Sequence, residues 1–161
     1  MELLSYWSDS RLGHQLPKRN AIDPVDIPRL LPHLVLTEVT NENRLRYRLV
    51  GTAIEDVAGM GLTGQFVEDV VPHKPYCDYL VGLYRQVLTK RCPVFSESDF
   101  VSSQFEPVRA TQRLMLPLSS DGKNIDLIMS GQVFIDRDSE APLPNEDEPF
   151  NGRVILALPG N

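Results

Sequence analysis

The chain has 161 residues, 42% of them hydrophobic and 24% charged, which suits one globular domain with short extensions and a core that needs no disulfide staples. A net charge of −6 argues against a nucleic-acid reader, which needs a basic face to neutralise phosphates. No apolar run approaches the roughly 20 residues of a membrane helix, and the opening Met1-Glu2-Leu3-Leu4 lacks the basic and apolar regions of a signal peptide.

Leu3 to Leu12 reads as a short amphipathic helix, with Leu3, Leu4 and Trp7 on one face. Asp23-Pro24 is a helix start, the carboxylate capping and the proline in the first turn. Pro32 ends that piece. His33 to Thr40 and Arg44 to Val50 read as paired strands around the turn Asn41-Glu42-Asn43. In the second strand Leu45, Tyr47 and Leu49 alternate with Arg44, Arg46 and Arg48, the period of a half-buried antiparallel sheet. Thr52 to Ala58 is a short helix in which Thr52 and Glu55 have capping-box spacing. Gly59, Gly61 and Gly64 interrupt it, and Gln65 to Val71 is a further short helix.

The clearest helix is Tyr76 to Arg91, where Leu80, Leu83, Tyr84, Val87 and Leu88 share one stripe. Cys77 and Cys92 sit near its two ends, roughly 22 Å apart along a straight helix, too far to bridge. Reduced thiols and a cytoplasmic setting are expected. Strands follow at Val94 to Val101, Val108 to Leu118 and Ile125 to Ile135, the last two joined by a turn at Asp121-Gly122. Arg137 to Pro149 is acidic and proline-containing and reads as a solvated linker. Val154 to Leu158 is apolar again: a docked segment, an edge strand or a dimer contact. Two strands, short helices, one long helix and three strands make an α+β domain, its antiparallel sheet covered by helices on one face.

This order, with Tyr6-Trp7, Leu16-Pro17-Lys18-Arg19, Ile22-Asp23-Pro24, Leu30-Leu31-Pro32-His33-Leu34, Tyr47-Arg48-Leu49-Val50-Gly51-Thr52, Leu62-Thr63-Gly64 and Arg113-Leu114-Met115-Leu116-Pro117-Leu118-Ser119, resembles the PAS superfamily. It looks most like a bacterial subfamily of small, stand-alone PAS proteins. The resemblance spans about residues 3–136. It implies a five-stranded antiparallel sheet cupping short helices. The chain divides into an N-terminal helical cap (1–32), a core (33–136) and an acidic tail (137–161) that lies outside the resemblance. The resemblance implies a sensory or docking role, often as a homodimer. It names no cofactor, since PAS domains variously hold haem, flavin, metabolites or nothing.

Other motifs carry less. Gly59-Met60-Gly61-Leu62-Thr63-Gly64 spells the dinucleotide fingerprint, but a strand should precede it and a helix does. His73 and Cys77 have metal-ligand spacing with Pro75 between them, and no second pair completes a tetrahedral set. No histidine falls inside the long helix, so PAS-type haem ligation is not expected, and neither cysteine sits in a flavin-reactive motif. The stripe Arg44, Arg46, Arg48 pairs across strands with Glu38 and its neighbours, or meets an acidic partner or the chain's own acidic tail.

Tyr47 and Leu49, with Val57, Phe66, Leu114, Leu116 and Met129, are the expected walls of any ligand cavity. Gln112 and Arg113 are the polar groups nearest that wall, and the sequence leaves open which of them faces inward. The expected function is a non-catalytic sensory domain that binds a small ligand or a protein partner, with no output domain on the chain. A ligand-free dimerisation module built on Leu3, Leu4 and Trp7, and a small enzyme with two convergent titratable groups in the same pocket, are the alternatives.

Overall fold

The period-two runs assemble into one antiparallel sheet in the computed structural model, which describes residues 2–71, 73–100, 109–135, 150 and 152–157. The acidic stretch 137–149 lies outside these residues, as do Val101 and Val108. The strands are β1 (Leu34–Val39), β2 (Leu45–Val50), β3 (Val94–Phe100), β4 (Arg109–Leu118), β5 (Leu127–Ile135) and β6 (Gly152–Ala157). Their order across the sheet is β2-β1-β5-β4-β3-β6. The sheet therefore has six strands rather than the expected five. The extra one comes from the apolar segment near Val154, which pairs antiparallel with β3.

One face carries α2 (Thr52–Ala58), α3 (Val67–Val70) and α4 (Lys74–Lys90). The stripe on α4 buries Leu80, Leu83, Tyr84 and Val87 against the sheet, contributing on the order of 6–12 kcal/mol gross. The helix begins two residues before the expected Tyr76. Pro75 falls in its first turn, where a missing N–H costs nothing, and His73 Nδ1 accepts the Tyr76 N–H at 3.3 Å.

The capping-box reading of α2 gives way to a different arrangement. Gly51 is the residue before the helix, and a Cβ there would lie 2.2 Å from the Pro32 carbonyl oxygen, so no side chain fits. Glu55 turns to the far end of its helix and accepts the N–H groups of Leu62 (2.8 Å) and Thr63 (3.1 Å). These charge-assisted bonds hold its carboxyl below the ordinary value and pin the glycine-interrupted loop 59–64.

The other face receives α1 (Glu2–Asp9), which buries Leu3 and Trp7. Trp7 Nε1 donates to the Pro117 carbonyl at 2.9 Å, satisfying its one polar atom in a buried place. The following segment is a series of 3-10 turns. In one, Asp23 caps the Val25 N–H at 3.0 Å, as the sequence predicts. Lys18 then bridges Ser119, tying this segment to the end of β4.

Candidate functional site

β4 and β5 run side by side through the middle of the sheet, and their side chains alternate between the two faces. On the helical face, Arg113 on β4 stands directly across from Gln132 on β5 and Ser96 on β3. Ser130, two residues from Gln132, stands across from Val35 on β1. Above this row lies a cavity of about 50 Å³. Its floor is Val35, Tyr47, Arg113, Ser130 and Gln132. Its roof is Ile54 and Ala58 of α2, Met60 and Leu62 of the following loop, and Val70 and Val71. Tyr76, Leu80 and Tyr84 of α4, with Phe100, close the side.

The polar groups cluster at the end where Arg113 sits. Arg113 is buried. Its Nη1 donates to Ser98 Oγ at 3.1 Å and its Nη2 donates to the Tyr76 hydroxyl. The guanidinium carbon lies 5.6 Å from the Tyr76 ring centre, within cation–π reach. The Tyr84 hydroxyl shares a 2.9 Å hydrogen bond with Thr37 Oγ1. Ser130 Oγ and Gln132 Nε2 are buried and have no partner among the described residues. Burial pushes the Tyr47 phenol well above its ordinary value and that of Tyr84 up to about 12. Burial also raises Tyr76, with the Arg113 charge pulling the other way. All three therefore stand as protonated hydroxyls at neutral pH.

Of the sequence-predicted wall residues, Tyr47 and Arg113 line this cavity and the others do not. A β-bulge between β1 and β2 sets Leu49 across from Leu36 and Tyr47 across from Thr37, so Arg48 is the extra residue. Leu49 thereby turns to the opposite face, which strict alternation does not foresee. Val57 is half-buried on α2 and packs on the core beside the cavity. Phe66 precedes α3 and lies 3.8 Å beneath the Arg44 guanidinium. Gln112 faces outward, its Nε2 donating to Glu97 Oε2 at 2.9 Å. Leu114 opens into a groove on the outer face. Leu116 and Met129 are a fully buried cross-strand pair on that same face.

Tyr76, Ser130 and Gln132 have no place in the sequence reading of the site. Their signal was available: Ser130 and Gln132 are polar interruptions two residues apart in an otherwise apolar strand.

The remaining motifs resolve into structure. Gly59 and Gly64 take left-handed conformations (φ 73° and 87°), which glycine adopts freely, and α2 directly precedes them. Arg46 and Arg48 both approach Glu38, at 2.6 and 3.9 Å, and Arg44 pairs with Asp69 at 3.0 Å. The outer groove is mostly apolar, bounded by Leu3, Leu30, Leu34, Phe95, Leu114, Val133 and Ile155, and Val133 and Ile155 are exposed there. No helix of the described residues is long and apolar enough to cross a membrane.

Comparison with solved structures finds a similar fold in the PAS domain of BvgS from Bordetella pertussis, with a TM-score of 0.54 and 18% identity over 74% of this chain and 91% of that one. At that identity the likeness is one of fold. No curated protein matches the chain. A family model described as "PAS domain" matches residues 1–131, which takes in α1, the helical cap and most of the sheet. The chain belongs to the PAS domain family.

Proposed function

We propose that this domain is a sensor: a small molecule occupies the cavity between the sheet and α2–α4, and its presence is passed to a protein partner. The observation that carries this reading is the make-up of the walls. The floor belongs to a rigid sheet, while the roof is a short helix, a pinned loop and a four-residue helix. A ligand touching both favours one position of the roof over another. A coupling of about 1–3 kcal/mol changes partner affinity 5- to 150-fold.

The role is non-catalytic. Among the described residues that line the cavity, the ionisable groups are a permanently charged arginine and tyrosines raised by burial. None is poised to trade a proton near neutrality. Native mass spectrometry of freshly purified protein tests the reading. A co-purifying small-molecule mass is expected, and a bare chain that also captures no metabolite from a host extract sinks it.

A second reading, a dimerisation module, is favoured by the outer groove. Its exposed Val133 and Ile155 lie beside α1, and a second copy related by a two-fold axis would bury the same apolar patch on both chains. Sedimentation across a range of concentrations separates the two. A monomer at all concentrations removes the dimer and leaves the sensor.

A further inference from the structure

The buried charge of Arg113 sits in a setting that its neighbours leave incomplete. Among the described residues no carboxylate lies within ion-pair distance of it. The acids on the adjacent strand, Glu97 and Asp99, alternate to the outer face, where they stand across from Gln112 and Ala110. Its two hydrogen bonds go to neutral hydroxyls, Ser98 and Tyr76. A guanidinium carries five N–H donors and cannot shed its proton. Burying it without a counter-charge is costly, and the usual remedy is an anion with matching geometry.

Two further buried polar atoms, Gln132 Nε2 and Ser130 Oγ, lack partners among the described residues and border the same cavity. Away from this end the lining is aliphatic: Ile54, Ala58, Leu62, Val70 and Leu80. The space is small, about 50 Å³.

We propose that the ligand of this cavity is a short aliphatic monocarboxylate, its carboxylate held by Arg113 with Gln132 and Ser130, and its tail under α2 and the 59–64 loop. This rests on the sensor reading above and specifies the chemistry of the same site. A phosphate is a poorer fit, because its second charge would face an aliphatic roof with one cation to answer it. A neutral amide or alcohol would leave the guanidinium unpaired.

The test is calorimetric titration of the whole chain, after unfolding and refolding to strip any bound molecule, with sodium propionate, butyrate and isovalerate and with the amide of each. At least one acid should bind ten-fold or more tighter than its amide. Arg113→Met should abolish that preference. If Arg113→Met does not fold, Arg113→Lys and Gln132→Leu serve: the lysine keeps the preference at lower affinity, and the leucine weakens acid binding several-fold.

Amides that bind as well as the acids overturn the carboxylate proposal and leave the sensor reading standing. So does a neutral molecule identified by mass spectrometry in the protein as purified from cells. Absence of binding by every probe, together with a bare chain in the mass spectrometer, overturns both.

Discussion

All five tyrosines of the chain have their hydroxyls pushed above the ordinary value, chiefly by burial. Raised folded-state values stabilise the fold below the unfolded value near 10, and that contribution is lost as the pH climbs past it. In a spectrophotometric titration the folded protein should therefore form little tyrosinate at pH 10, and Tyr47, Tyr76 and Tyr84 should ionise only with unfolding. Ordinary titration of all five in a still-folded protein would contradict their burial.

Glu55 runs the opposite way. Its lowered value means its contribution is present above the ordinary carboxylate range and is lost as the pH falls through the folded value. Glu55→Ala should cost about 1–2 kcal/mol in urea unfolding at neutral pH. The gap from the parent should narrow below about pH 4. Neither role follows from residue type alone: Glu55 has capping-box spacing in the sequence, and only the return of the loop 59–64 puts N–H groups in its reach.

Elements were legible where one periodicity ran unbroken. The α4 stripe, the positions of β4 and β5 along the chain, and the Asp23-Pro24 turn could all be placed from the residues. Legibility failed at the β-bulge, because one extra residue at Arg48 reverses every later side chain, and Leu49 left the expected wall. It failed again between Gln112 and Arg113, whose register depends on which strand neighbours β4. The cavity roof was hidden for a different reason: α2 is anchored by Gly51 packing on Pro32, in the turn before β1, a contact with no local signature.

The docking of α1 is testable at this scale. A Cβ on Gly131 would stand 2.6 Å from Leu3 Cδ2, so Gly131→Val should lift α1 from the sheet. We expect a loss of about 1–3 kcal/mol and a red shift in the emission of Trp7, the chain's one tryptophan. Unchanged emission would mean that Leu3 yields and the helix stays.

For the molecule as a whole, β6 stands apart. It follows the stretch outside the described residues, lies past the family match ending at residue 131, and joins the sheet only at its β3 edge. Tyr79 on α4 packs over Gly152, where a Cβ would come 2.5 Å from the ring. A chain ending before Phe150 should keep the cavity under α2 and α4 and lose the β3 edge cover. Its far-ultraviolet spectrum should stay close to the parent's while light scattering at high concentration rises. Collapse of the fold on truncation would make β6 part of the core instead.

The opposite border of the sheet is closed by other means. β2 offers its outer backbone at Tyr47, but the Tyr47 N–H donates to the Gln65 carbonyl at 2.9 Å and the Gly64 N–H donates to the Tyr47 carbonyl at 2.7 Å. Arg46 forms a bridge with Phe66, and Arg44, Arg46 and Arg48 line the same border. With the β2 margin fastened at Tyr47 by its own loop, strand-by-strand growth into fibrils is blocked there and would have to begin on the outer edge of β6, the last strand at the other margin.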